Sequence, residues 1–426
     1  MLQVSVIRDQ LEEVRKALSK RNLSDDQLSL LPKVIELDDK RKEVQLAMDN
    51  ALAEVNKISK EIGQLYAKGE RDTAATKKEE VAKHKESSKD LENQLKAVES
   101  ELDEALYGLP NKPHDLVPEG ASDEDNEVVK DWTAPMPELY DGAKPHWELG
   151  EQYGLFDLKL GVRITGAGFP VYRGKGARLQ RALINFFIDE AVDAGYEEVM
   201  PPHLVNADSA RGTGSLPDKE GQMYYMPKDD LYLIPTAELP LTNIVRGDIL
   251  KPEDLPLKYC GHTPCFRREA GSYGADVKGL NRVHQFDKVE IVQIQHPDRS
   301  HETLDQMVAH VETLLTKLEL PYRILRLCGG DLTFASALTY DFEVYSAAQG
   351  RWLEVSSVSN FETFQANRLK TRYKDENGKS QLVHTLNGSA LALARIVASM
   401  LENHQTADGI VIPQALRRYT GFDIIN

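Results

Sequence analysis

From Val44 onward the apolar positions fall at Val44, Met48, Ala51, Val55, Ile58, Ile62 and Leu65, in alternating steps of four and three. This spacing is the heptad seam of a helix with one apolar stripe in need of a partner. Gly69-Glu70-Arg71-Asp72 interrupts the pattern, and Asp72 is suited to cap a second helix. The same rhythm resumes at Leu91, Leu95, Val98, Leu102 and Ala105. Two long helices joined by a short turn fold back as an antiparallel hairpin. At about 34 residues each, they predict an arm of roughly 50 Å.

Beyond residue 110 the period disappears. NKPHDLVPEGASDEDNEVVKDW is rich in proline and acids and reads as a linker, assigned to residues 111–135. From residue 136 to 426, DLYLIPT, PLKYCGHTPCFRRE, VEIVQIQ, YDFEVYS and WLEVSS read as strands, some alternating in period two. Helices are expected at Gly176–Ala194, Ser300–Leu318 and Ser389–Glu402. The pattern predicts an α+β body around a mostly antiparallel sheet flanked by helices, following a helical domain over residues 1–110.

Composition fits two or three packed domains: 426 residues, 41% hydrophobic and 28% charged, which excludes a wholly disordered chain. The net charge of −16 has the wrong sign for a protein dominated by nucleic-acid binding, but local patches outweigh the sum. Between residues 57 and 89, near the hairpin turn, nine basic residues face six acidic ones. There the second helix brings weak seam residues, His84 and Ser88. A tip that gains lysines as it loses apolar residues suits an acidic partner. A solvated face or a partner-binding coiled coil explains the same pattern. The opening MLQVSVIRDQLEEV is too charged for a signal peptide, and the apolar stretch Leu391–Leu401 is short and broken by Arg395. A soluble, cytoplasmic protein with no membrane partner is expected. The three cysteines fit a reducing compartment, and Cys260, His262 and Cys265 alone offer too few ligands for a structural metal.

Candidate chemistry concentrates in the body. Gly174-Lys175-Gly176 and Gly166-Ala167-Gly168 lack the full spacing of nucleotide-binding loops. In FRREAGSYGADVKGLNRVHQFDKVE, Arg267, Arg268 and Glu269 close one strand, and a second strand carries His284, Phe286 and Glu290. Guanidinium groups bind phosphate bidentately and an aromatic ring stacks a base, although a surface hairpin with ion pairs accounts for the same residues. Glu343 and Glu354 lie on successive strand-like runs, and Glu354 with Ser357 offers hard oxygens suited to Mg²⁺ on a triphosphate. In LNGSALALAR, Arg395 lies within an apolar helical face and needs an anion or a carboxylate.

These segments together resemble the bacterial-type seryl-tRNA synthetases, of the class II aminoacyl-tRNA synthetase family, over nearly the whole length. GYEEVMPPHLV (195–205), ending its motif at Pro202, resembles motif 1; TPCFRREAGSYG to HQFDKVE resembles motif 2; NGSALALAR resembles motif 3, with Arg395 as its arginine. PTAELP (235–240) and EVSSVSNFETFQANR (354–368) resemble family-specific segments. Tyr273, Val277, Lys278 and Asn281 depart from the motif 2 pattern, Val358 stands where a cysteine is common, and Ala394 replaces a frequent glutamate.

The resemblance implies a class II catalytic domain, an N-terminal tRNA-gripping coiled coil and a homodimer. It implies activation of L-serine with ATP and Mg²⁺, then transfer to tRNA(Ser), with tRNA(Sec) as a further candidate. The implied ATP contacts are Arg267, Arg268, Glu269, Val283, Phe286, Glu354, Val355, Ser356, Ser357 and Arg395. Of these, Arg267 and Arg395 are the catalytic pair, and Glu354 and Ser357 the Mg²⁺ ligands. Thr236, Ala237, Glu238, Glu290, Asn387 and Ser389 are the implied serine contacts. Two rival readings are a ligase charging a carrier with a small amino acid, which has no use for a long hairpin, and an inactive coiled-coil paralogue, which has no need of Arg267, Glu269, Glu354 and Arg395.

Overall fold

The computed structural model describes residues 1–218, 221–269 and 278–426, so Tyr273 and Val277 lie outside the described residues. The chain forms two compact units, Met1–Ser19 with Leu23–Pro110, and Lys20–Asn22 with Asn111–Asn426.

In the first unit, α1 (Leu30–Ala67) and α2 (Arg71–Gly108) have 38 residues each, so the hairpin is about 57 Å long. α1 begins well before Val44 because Leu31, Val34 and Leu37 continue the buried stripe. At the turn Gly69 takes φ +81° and the Glu70 N–H donates to the Leu65 carbonyl at 3.0 Å, a closure that favours a residue without Cβ. Asp72 does not cap α2. The helix starts at Arg71 without a side-chain cap, and Asp72 sits in the first turn, where its charge complements the helix dipole. Near the tip α2 gives the seam only Ala74, Val81 and Ser88, with Val81 packed on Val55 and Ile58 of α1; the Ser88 hydroxyl donates to the His84 carbonyl. Lys60, Lys68, Arg71, Lys78, Lys83, Lys85 and Lys89 are exposed there. Lys77 bridges the two helices to Glu61 at 3.3 Å.

In the second unit, β1 (Glu127–Lys130), β2 (Glu197–Glu198), β3 (Leu257–Phe266), β4 (Gln285–Gln295), β5 (Tyr322–Arg326), β6 (Leu338–Ser346), β7 (Arg351–Asn360) and β8 (His384–Ala392) form one sheet. Its order is β1-β5-β6-β7-β8-β4-β3-β2, and only the β2–β3 pair is parallel. The segment 111–135 is no free tether. Buried Asn111 donates to the Ala335 and Phe361 carbonyls, and β1 is the edge strand on β5. Edge strands need no apolar alternation, which is why this one reads as linker.

Around the sheet lie α3 (His146–Gln152), α4 (Gly174–Asp193), α5 (Ser300–Lys317), α6 (Thr363–Leu369) and α7 (Leu393–Asn403). Alternation on β4 sends Val289 and Ile291 into the main core, with Leu183 and Phe187 of α4, Leu304 and Val311 of α5, and Ile396 and Val397 of α7. Lys288, Glu290 and Val292 therefore point to the other face. The helix expected from Ser389 starts only at Leu393, because 384–392 is strand. β8 is central and buried along nearly its whole length, and such a strand cannot be told from a buried helix by period. Arg395 thus lies in the first turn of α7. Among the described residues no helix is long and apolar enough to cross a membrane.

Candidate active site

The β3–β4 ladder continues past Phe266 through the Arg267 N–H, which donates to the His284 carbonyl at 3.0 Å. This registration sets the Arg267 guanidinium 5.3 Å from the Phe286 ring centroid, a cation–π distance, while Nε donates to the Pro235 carbonyl at 3.4 Å. The Arg268 guanidinium lies 5.9 Å from the Tyr224 ring. Glu269 adopts φ +48° and accepts from Arg282 at 3.1 Å, tying the two ends of the intervening loop together. Val283 beside it is buried.

A second polar group lies on the same face of β4. The Thr236 hydroxyl donates to Glu290 Oε2 at 3.2 Å, and Lys288 Nζ lies 2.6 Å from that oxygen. Thr236 also accepts from the Glu238 N–H, fixing the turn into the short helix Glu238–Thr242. Glu238 accepts from Gln365 of α6 at 2.7 Å. Burial and the neighbouring Glu290 charge push its carboxyl up to about 7, against the opposing bond from Gln365. Ser389 pairs with Glu290 across β4 and β8, and Asn387 with Val292. The buried Asn387 Nδ2 has no hydrogen-bond partner among the described residues. Such a donor costs about 1–3 kcal/mol until a ligand accepts from it. Ala237 is buried in the neighbouring core and lends no polar side chain.

The third group depends on an irregularity. Phe342 pairs with Ser356 but Glu343 pairs with Glu354, so Val355 is the extra residue of a β-bulge. The bulge turns Glu354 to the face of Ser357, whose hydroxyl donates to it at 3.3 Å. Val355 goes into the core and the Ser356 hydroxyl donates to the Ser389 carbonyl at 2.6 Å, so neither side chain joins Glu354 and Ser357. Glu343 is engaged by Arg323 on β5. Asp341, opposite Ser357, has a buried Oδ1 without a partner among the described residues, and burial together with Glu354 pushes its carboxyl well above the ordinary range. Clustered hard oxygens that repel one another suit a divalent cation. Arg395 donates from NH1 to the Glu354 carbonyl at 2.6 Å and from Nε to the Asn281 carbonyl at 2.9 Å.

Sequence reasoning passed over Lys288, Gln365 and Asp341. Lys288 lies two residues before Glu290, where alternation alone puts it on the same face; Gln365 and Asp341 gave no local signal. Cys260 and Cys265 are buried free thiols, and His262 is paired with Asp287 at 2.8 Å. Among the described residues, the cluster with ligand atoms near enough to hold a metal through His or Cys is His114, His301 and Glu362.

The family model for the tRNA synthetase class II core domain (G, H, P, S and T) matches residues 224–404, and the Seryl-tRNA synthetase N-terminal domain matches residues 1–113. A serine–tRNA ligase of Salinibacter ruber is 48% identical over 424 residues, covering 99% of this chain and 98% of the relative. This chain belongs to the seryl-tRNA synthetase family. A serine–tRNA ligase of Chlorobaculum parvum is 47% identical, with each chain covered in full. Seryl-tRNA synthetase from Pyrococcus horikoshii, solved in complex with ATP, superposes with a TM-score of 0.89 at 35% identity, over 100% of this chain and 99% of that one. The cytoplasmic serine–tRNA ligase of Naegleria fowleri, solved with AMP, gives 0.85 at 26% identity, with the same coverage. Membership of the family makes the protein an aminoacyl-tRNA ligase, with a long helical hairpin joined to a class II catalytic domain.

Proposed function

We propose that the protein activates L-serine with ATP to seryl-adenylate and transfers the seryl group to the 3′ end of tRNA(Ser), with tRNA(Sec) as a further substrate. The observation that carries this reading is the acidic pair Glu238 and Glu290, set beside Thr236 and within the field of Arg267. Serine presents an ammonium, a hydroxyl and a carboxylate. The two acids and Thr236 receive the donors, while Arg267 receives the carboxylate. A pocket built to accept from that hydroxyl rejects alanine, because the acceptor is otherwise left buried and unpaired.

In the first step a serine carboxylate oxygen attacks the α-phosphorus of ATP and the bond to pyrophosphate breaks. In the second, the terminal ribose hydroxyl of the tRNA attacks the acyl carbon and AMP leaves. Both steps need alignment and charge neutralisation more than a protein nucleophile. Arg267 holds the serine carboxylate against the α-phosphate, where negative charge grows in the transition state. Phe286 covers one face of adenine and Arg395 the other, with Arg395 also reaching the γ-phosphate. Glu269 accepts from the adenine amino group. Glu354 and Ser357, with Asp341 behind them, would hold Mg²⁺. The ion, when bound, neutralises triphosphate charge.

The arm over residues 1–110 grips tRNA by shape and backbone, using the exposed tip lysines. A cytoplasmic homodimer in which one subunit's arm serves the other's site completes the reading. ATP–pyrophosphate exchange dependent on serine and Mg²⁺ is the expected result for the purified protein. No serine-dependent exchange across a panel of amino acids overturns the assignment.

A further inference from the structure

Arg395 is oriented by a backbone oxygen, the carbonyl of Asn281, and the segment carrying that oxygen is itself gripped from behind. The Leu280 N–H donates to His146 Nε2 at 2.8 Å, and His146 Nδ1 lies 2.7 Å from Glu402 Oε1. With Nε2 accepting, the ring donates from Nδ1, so one tautomer satisfies both bonds. His146 and Glu402 are fully buried. Glu402 also accepts from the His146 N–H at 3.0 Å, from Gln349 Nε2 at 3.0 Å and from the Ser346 hydroxyl. Despite burial, the bonds from His146 and Ser346 hold its carboxyl below the ordinary value.

The grip covers each residue of 278–281. Lys278 Nζ lies 4.3 Å from the Trp147 ring centroid on α3. Gly279 takes φ +67°, and a Cβ there would stand 2.2 Å from His146 Nε2, so only glycine allows this approach. Leu280 is held by His146 as described. Asn281 Nδ2 donates to Gln349 Oε1 at 2.9 Å, which leads back to Glu402. Buried networks in which each member is satisfied are rigid, and a rigid support is what a charged group needs to meet a phosphate at the correct angle.

We propose that His146 and Glu402 are positioning residues that lock residues 278–281 and, through the Asn281 carbonyl, aim the Arg395 guanidinium at ATP. The inference rests on the reading of Arg395 as a triphosphate-binding group. It gives Glu402, near the C-terminal end of α7, a role at the N-terminal end of the same helix. The route runs through a different part of the chain.

The test is a double-mutant cycle in ATP–pyrophosphate exchange on the full-length protein, using His146→Ala, Arg395→Ala and the pair. His146→Ala is expected to raise the KM for ATP by about tenfold or more, the loss typical of an unmade buried bond, while leaving the KM for serine near wild type. In the pair, loss of His146 adds less than about twofold to the loss caused by Arg395→Ala, because the two act in series. Glu402→Gln, which keeps the acceptor for His146, restores most of the ATP affinity lost in Glu402→Leu. Equal rises in both KM values, or losses that multiply in the pair, overturn the positioning role. An Arg395→Ala protein with unchanged KM for ATP instead overturns the reading of Arg395 itself. Should His146→Ala fail to fold, Gln349→Ala cuts the same relay at a half-buried position. A selective rise in its KM for ATP supports the proposal, and no change defeats it.

Discussion

The Ser357 hydroxyl donates to the Glu354 carboxylate at 3.3 Å although the two are three residues apart on one strand. In a regular strand that spacing sends side chains to opposite faces. The bulge at Val355 brings them together, and register then sets Asp341 opposite Ser357. Glu354→Gln is therefore expected to raise the Mg²⁺ concentration for half-maximal exchange by about tenfold, as loss of one charged ligand from a hard-cation site does. A Mg²⁺ titration of exchange rate checks this, and an unchanged midpoint removes Glu354 from the site.

Arg267 is held by a backbone bond into the ladder, by Pro235 and by Phe286, so its removal leaves the surrounding strands intact. Arg267→Ala should lower exchange by about a hundredfold or more, the scale seen when one donor to developing charge is lost. The melting temperature should remain near that of the wild type. Near-normal exchange in a folded variant counts against the assigned role.

Burial and Glu290 push the Glu238 carboxyl from 4.5 up to about 7. An acid with a raised folded pKa keeps its proton while the unfolded chain ionises. This group therefore lowers stability as pH rises from about 4.5 to about 7, with no further loss above that window. In the proposed pocket the serine ammonium favours the carboxylate and reverses the shift, so serine binding near pH 6.5 should release protons. Calorimetry in two buffers of different ionisation enthalpy measures this release. It should vanish in Glu238→Gln, and proton uptake on binding contradicts the scheme.

On the proposed reading the tip lysines bear on tRNA charging and not on exchange. Reversing Lys78, Lys83, Lys85 and Lys89 to glutamate should leave serine-dependent exchange unchanged and reduce charging of tRNA(Ser) by about tenfold or more at moderate salt, with a shallower salt dependence. Deleting residues 40–100 should abolish charging while sparing exchange. Charging that survives the deletion refutes the assignment of the arm.

Much of this architecture was legible locally. The four-three seam of α1 and α2 is a property of contiguous residues, and so is the alternation that separates Glu290 and Lys288 from Val289 and Ile291. Arg267, Glu269 and Phe286 stood out as charge and aromatic surface on either side of one loop. The edge strand β1 and the start of α7 did not show. Neither a polar edge nor a strand buried nearly throughout carries a distinctive period.

The sequence by itself determined the elements that carry a clear period, which face of each is apolar, and which residue types were available for the chemistry. Helix and strand periods depend on neighbours a few positions apart, so these properties need no knowledge of the rest of the chain. Tertiary structure decided the partners. Register and one bulge joined Asp341, Glu354 and Ser357, α6 brought Gln365 to Glu238, and folding carried His146 to Glu402 across 256 positions. The reason is that hydrogen bonds and ion pairs act over about 3 Å in space, and only the packed sheet decides which distant residues come that close.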